Sequence, residues 1–388
     1  MEAVTFIPAL PTLWPRMLLA GRKPLPFPFS APQVHYSYFC RNSVWLATRM
    51  LGLAGYEVLV PAYHHGVEIE ALIEAGATLR FYRVGARWNV DLEDIDRKIS
   101  SRTKALYVTH YAGFPGPVEP MRRIADRHGM VLIEDCALSL LSTAGGVPLG
   151  ATGDVSVFCF YKTLPVPHGG ALLINGRSPI RLPKLSRPPW TATGSHLASL
   201  LLQNLEMRGG AVGRWLRAAL RRLGRTAADA AGVERIATGT QHLNRAHLSL
   251  GMSPLALRIA RAQDCAAIVA ARRRNYFYLL GQLRDLSAPL FTELAPGVCP
   301  LFYPLAVENK DEVMRRLRAL GIETVDFWRH FHPACEPGQF PEAAHLRRTI
   351  LELPCHQDLS PEQMRLIAAA VRKALAADVS PAFSRARL

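Results

Sequence analysis

The chain is short of acids. Its 388 residues carry 31 Asp and Glu against 46 Lys and Arg, a formal net charge of +15, with Arg much the commoner base. It also lacks paired cysteines. Cys40, Cys136, Cys159, Cys265, Cys299, Cys335 and Cys355 are odd in number and scattered, with no C-x-x-C. That spacing argues against a disulfide framework and a zinc site, and for a reducing cytosol. No stretch reaches eighteen uninterrupted apolar residues, and the N-terminus has no basic start and is broken by Pro8, Pro11 and Pro15. Neither a membrane span nor a signal peptide is expected, and the predicted location is cytoplasmic. No strand opens into G-x-G-x-x-G, which argues against a nicotinamide dehydrogenase. Basic tracts interleaved with aromatics are missing too, as are zinc-finger and RNA-recognition signatures, so no nucleic-acid partner is expected. There is no internal repeat and no low-complexity tract. What remains is 49% hydrophobic and 20% charged, the composition of a globular protein long enough for two to three domains. The Arg excess suits phosphate or carboxylate ligands, or an anionic membrane surface.

From about Ser43 to Asn175 helical and strand periods alternate. Helices are predicted at Ser43–Leu53 with Ser43 as cap, Glu68–Ala75, Asp91–Ile99 and Val118–His128. Strands are predicted at Glu57–Pro61, Thr78–Val84, Lys104–Thr109, Met130–Glu134, Val155–Phe160 and Ala171–Ile174. This alternation implies βαβ units and a mainly parallel sheet, whose ligands sit beyond the carboxyl ends of the strands. Val131–Asp135 and Phe158–Lys162 are apolar runs that each end in one charge, and a charge ending a buried strand must be paired or used. Taken alone, they read either as ordinary strand ends or as an acid and an amine gripping opposite sides of a pyridoxal phosphate ring.

Residues 182–235 change character, with nine Lys/Arg against three acids, a net of +6. Within them Leu197–Leu202 and Trp215–Leu223 read as amphipathic basic helices. Such helices fit either an interfacial membrane segment or an insertion that packs on its own protein. After Pro254 a long helix runs to about Leu283. A smaller α/β unit follows: strand Leu301–Val307, helix Lys310–Leu320, strand Ile322–Val325, then helices from Pro341 and Pro361. Asp311 and Ser360 are the predicted caps.

The order of these segments resembles the DegT/DnrJ/EryC1/StrS family of pyridoxal-phosphate-dependent aminotransferases, of the fold-type I (aspartate aminotransferase-like) class. The likeness is carried by Leu51–Pro61, Asn89–Ile95, Ser101–Ala105, His110–Pro115, His128–Ala137, Gly150–Asp154, Gly251–Arg274 and Leu353–Leu375, in that order. It implies an α/β fold with a mainly parallel central sheet and a smaller C-terminal α/β domain. The expected organisation is an arm at 1–35, a cofactor domain at 36–180, a basic helical insertion at 181–245 and a C-terminal unit at 246–388.

The resemblance also implies roles. Lys162 matches the Schiff-base lysine through the spacing K-x6-G-G to Gly169-Gly170, and Asp135 matches the carboxylate facing the ring nitrogen. His65 stands where a ring stacks on the cofactor. Arg41, Asn42 and Ser43 stand at the turn that holds the phosphate on backbone N–H groups, and Cys159 and Ala137 complete the cofactor-binding set. The chain departs from the family at Leu138, where Gln is usual, at Cys159, where Ser is common, and at Cys40-Arg41, where Gly-Thr is usual. Its approach to Lys162 is two residues short, and it has no clear counterpart near Ser249 of the Asn donated by a neighbouring subunit.

The implied protein is a cytoplasmic homodimer that binds pyridoxal 5'-phosphate. It would move an amino group from an amino-acid donor such as glutamate to a nucleotide-linked keto-sugar, with Lys162 neutral when it acts as base. Alternatives are a small non-sugar keto substrate, or a non-catalytic scaffold that touches a partner or membrane surface through 197–225.

Overall fold

A computed structural model describes residues 6–21, 23–176, 182–230 and 243–376. The parts of the predicted arm, insertion and C-terminal unit at 1–5, 22, 177–181, 231–242 and 377–388 lie outside the described residues.

The chain opens with β1 (Val34–Ser37) and α1 (Cys40–Met50). It continues through β2 (Glu57–Pro61), α2 (Val67–Glu74), β3 (Thr78–Tyr82), α3 (Leu92–Lys98), β4 (Thr103–Thr109), α4 (Val118–His128) and β5 (Val131–Cys136). A short hairpin, β6 (Thr143–Ala144) and β7 (Val147–Pro148), precedes β8 (Val155–Cys159) and β9 (Gly170–Ile174). The seven-stranded sheet has the order β1-β9-β8-β5-β4-β2-β3. β3, β2, β4, β5 and β8 run parallel, and β9 alone is reversed, pairing antiparallel with both β8 and β1. The mainly parallel sheet is therefore as expected, and the central strands β4, β5 and β8 are buried along almost their whole length.

One predicted start moves and one strand is new. α1 begins at Cys40, with Phe39 in extended conformation before it, so Ser43 is inside the helix rather than its cap. The Ser43 hydroxyl instead pairs with Ser37 Oγ at 2.7 Å. β1 was not anticipated: four residues of mixed polarity carry no period-2 signal, and they become a strand only because β9 offers an edge.

Beyond β9 lies α5 (Trp190–Ala230), broken at Gly210, whose φ of 52° and ψ of −127° end the first helical segment. The chain folds back there. A Cβ on Gly213 would lie 2.4 Å from the Leu205 carbonyl oxygen, an approach open only to glycine.

The predicted long helix after Pro254 is two, α6 (Pro254–Arg261) and α7 (Cys265–Leu283). Asp264 caps α7 by accepting from the Ala267 amide at 3.0 Å. A three-stranded sheet of order β10-β12-β11 follows, built from β10 (Tyr303–Ala306), β11 (Val325–Asp326) and β12 (Ile350–Leu353). α8 (Lys310–Ala319), α9 (Pro341–Thr349) and α10 (Pro361–Ala376) accompany it. Asn309, not Asp311, caps α8, accepting from Glu312 N, while Asp311 pairs with Arg329. Ser360 caps as expected: its Oγ accepts from Gln363 N at 3.2 Å, and Gln363 Oε1 accepts from Ser360 N at 2.9 Å, the reciprocal capping box. One continuous apolar core joins the two sheets, from Val58, Leu106 and Leu132 to Leu305, Leu351 and Ile367.

Candidate active site

Four neighbouring parallel strands deliver the site. β2 leads into His65, β4 carries Tyr107, β5 ends on Asp135 and Cys136, and β8 ends on Cys159 three residues before Lys162. In a parallel sheet all carboxyl ends lie on one edge, so residues distant in sequence meet there. A cavity of about 540 Å³ sits between this edge and the small sheet. Lys162, Asp135, His65, Arg41, Cys159 and Ala137 all line it. Asn42 and Ser43 do not. They lie in the first turn of α1, where Asn42 Nδ2 donates to the His247 carbonyl at 2.6 Å and Ser43 meets Ser37. A separate cavity of about 650 Å³, between residues 23–27 and the start of α7, contains none of the predicted site residues.

Asp135 is buried, and burial pushes its carboxyl pKa up. Against this, its Oδ1 accepts from the Ala137 amide and its Oδ2 from the Tyr107 hydroxyl, each at 2.9 Å. These donors favour the ionised form, as does the nearby Lys162.

Lys162 departs from expectation. Burial does act to lower its amine pKa, but Cys159, Asp135 and Cys40 outweigh it, and the net shift is upward. Its surroundings thus favour the protonated amine. His65 is held neutral instead: burial first, then Lys162 and Arg41, push its pKa down to about 3.

Several groups that line or shape the cavity had no sequence signal. Glu68 is buried, accepts from the His65 and Gly66 amides at 2.7 and 3.1 Å, and is pushed up to about 7 by burial and Asp135. Glu352, from β12, is pushed up to about 8 by burial. Trp328 faces His65 edge-on at 6.4 Å between ring centroids, and its φ of 50° is left-handed backbone, rare for a bulky residue. Arg347 holds that turn, donating to the Trp328 and His330 carbonyls at 2.6 and 2.7 Å and to Ala62 O at 3.2 Å.

The glycine pair after Lys162 has a spatial reason. A Cβ on Gly170 would lie 2.5 Å from the Cys40 nitrogen and 2.7 Å from the Phe39 carbonyl carbon. The bare backbone of β9 thus lets the start of α1 close down on the cavity, and Phe39 supplies that helix no side-chain cap. Next to the site, the side chains of His110, Glu134 and Cys136 converge. Their donors are spent on structure: Glu134 accepts from His110 Nε2 and from the Gly150, Thr152 and Gly153 amides, while His110 Nδ1 accepts from Gly116 N.

An acid fixed by two donors, a lysine and a neutral ring thus line one cavity at the carboxyl edge of this sheet. The model of the DegT/DnrJ/EryC1/StrS aminotransferase family matches residues 40–179 and 254–372, more than half of the chain, and the chain belongs to that family. The match passes over 180–253, which includes the basic stretch at 182–235. The family is pyridoxal-phosphate-dependent.

A GDP-perosamine synthase of Vibrio cholerae is 35% identical over 134 residues, 34% of this chain and 36% of that protein. The chain thus spans about a third of the length of that relative. A UDP-N-acetyl-3-dehydro-alpha-D-glucosamine 3-aminotransferase of Acidithiobacillus ferrooxidans is 25% identical over 86% of this chain and 82% of its own. Among solved structures, the aminotransferase TlmJ of Streptoalloteichus hindustanus has a TM-score of 0.68 at 24% identity, covering 98% of this chain and all of its own. Spr1654 of Streptococcus pneumoniae in its PLP form has a TM-score of 0.67 at 15% identity, covering 95% and 100%. At these identities the structural likeness shows the fold. No helix among the described residues is long and apolar enough to cross a membrane.

Proposed function

We propose that this protein is a pyridoxal 5'-phosphate-dependent aminotransferase that moves an amino group from an amino-acid donor, glutamate first among them, to a keto group on a nucleotide-linked sugar. The observation that carries this reading is that Asp135 and Lys162, the two charges ending separate strands, line one cavity together with His65. The residues present fit the cofactor. Asp135 is a buried carboxyl whose ionised form is favoured by donors from Tyr107 and Ala137 against the upward push of burial, as suits a partner to a protonated ring nitrogen. His65 is a neutral planar ring in the cavity wall. The open first turn of α1 beside Arg41 suits a phosphate.

When bound, the cofactor supplies an electron sink for the carbon that loses its proton. Lys162 Nζ would hold the cofactor's aldehyde carbon and, once freed by the donor amine, would take the proton from the donor's carbon and, in the second half-reaction, return one to the acceptor's carbon. Lys162 would need to lose its proton for this step, against the upward shift set by Cys159 and Asp135, and a positive charge brought in with the cofactor would favour that loss. Trp328, His65 and Leu138 would exclude water from the reacting carbon. Relatives named as sugar aminotransferases support the substrate class. The reading includes a homodimer, as the resemblance implies, and a cytoplasmic location, supported by seven free thiols.

The test is the visible absorbance of the purified protein with pyridoxal phosphate, with and without glutamate, followed by amination of nucleotide-linked keto-sugars against free keto acids. A bound-cofactor band that responds to glutamate is expected, and Lys162→Ala should abolish it. An unchanged band in Lys162→Ala overturns the lysine's role. Faster turnover of free keto acids overturns the sugar assignment.

A further inference from the structure

The basic insertion divides into two halves of opposite behaviour. In the first half of α5, Leu197, Leu200 and Leu201 pack on the protein's own apolar core. The second half does the reverse. After the fold-back at Gly210, Gly213 lies against the backbone of Leu205 and Arg217 pairs with Glu206, so that the side facing the protein is the glycine and basic side. The side facing solvent holds Val212, 73% exposed, and Trp215, 71% exposed, with exposed Arg222 beside them. At 100° per residue Val212 and Trp215 share one face of the helix, and Arg222 flanks it. By sequence, residues 197–225 contain six Arg and one acid, Glu206.

A soluble helix turns its apolar face inward, so this outward Val-Trp face in a cationic surround needs an occupant. An indole flanked by arginines fits the boundary between lipid headgroups and acyl chains, and the net positive charge fits anionic headgroups. The family model matches 40–179 and 254–372 and so does not include this segment. We propose that the second half of α5 docks the protein on an anionic membrane surface, with Val212 and Trp215 entering the headgroup layer.

The test is co-sedimentation of the full-length protein with vesicles of phosphatidylcholine alone and of phosphatidylcholine with phosphatidylglycerol. Binding to the anionic vesicles alone is expected, weakening as salt is raised. Val212→Glu with Trp215→Glu should lower the bound fraction about tenfold while leaving amination in solution and the oligomeric state unchanged. No sedimentation with anionic vesicles, or equal sedimentation with both kinds, overturns the proposal. A change of oligomeric state in the double variant, read by light scattering, also overturns it, since the face would then belong to a second copy. Should the double variant fail to fold, quenching by brominated lipids compared between the wild type and Trp215→Phe reads the same contact. Quenching is expected to fall in Trp215→Phe, and unchanged quenching overturns the proposal.

Discussion

The Tyr107 hydroxyl donates to Asp135 Oδ2 at 2.9 Å, from one strand to the next, under a fully buried sheet edge. In the β4–β5 register Thr109, not Tyr107, stands opposite Asp135, so the tyrosine reaches it diagonally from two residues earlier on the same face. Its proton favours the ionised acid where burial alone would favour the neutral one.

Tyr107→Phe keeps the ring and removes the proton. A hydrogen bond to a charged group is worth about 2 kcal/mol, so the turnover number should fall by more than about tenfold. Steady-state kinetics at saturating cofactor measures it; an unchanged turnover number would show that Ala137 N–H alone suffices.

Gly170→Ala puts a methyl group against the backbone of Phe39 and Cys40, which cannot yield as a flexible side chain would. A loss of about 2 kcal/mol in denaturant unfolding is expected from such overpacking. Cofactor affinity, measured by equilibrium titration, should weaken with it, because the displaced element is the first turn of α1.

Glu134→Gln tests the buried hub beside the site. Burial works to raise the Glu134 carboxyl, but His110 and the Gly153 and Gly150 amides outweigh it and the folded-state pKa is lowered. A depressed carboxyl contributes stability that is present above its unfolded value, roughly 4.3, and is lost as pH falls through the folded value. Glutamine turns an amide N–H towards donors and should cost about 3 kcal/mol at pH 7. Unfolding curves across the acid range should then be flatter for the variant than for the wild type.

Arg347→Lys replaces a planar fork with a point charge at a site where one guanidinium holds Trp328, His330 and Ala62 carbonyls. The turn carrying Trp328 should relax from its left-handed backbone, raising KM for the keto substrate several-fold with a smaller change in kcat. Equal losses in both would place Arg347 in the chemical step instead.

The alternating periods at 43–175 were legible because buried parallel strands are nearly continuous apolar runs, and such runs differ from amphipathic helices at a glance. Boundaries were less so. Ser43 has the side chain of a cap, yet helix α1 starts at Cys40 because the extended Phe39 before it, not a hydroxyl, ends the preceding loop. The long helix after Pro254 breaks because Asp264 caps a new one, and the apolar period runs on through the break.

Asp135 and Lys162 stood out in the sequence because each ends an apolar run, and the family likeness told which pair of strand ends mattered. Glu68, Glu352, Tyr107 and Trp328 did not stand out. An acid one turn into a helix or a tyrosine in mid-strand is commonplace, and only packing shows that it meets a cavity.

The sequence by itself determined the parallel α/β sheet, the placing of Asp135 and Lys162 at the ends of apolar runs and the basic character of 182–235, because all three depend on local period and charge. Tertiary structure alone decided which strand ends meet and that Gly170 must be bare. It also decided that the Lys162 amine is shifted upward despite its burial and that α5 turns Trp215 outward. Those depend on register, close approach and the field of neighbouring groups, none of which is a property of neighbours in the chain.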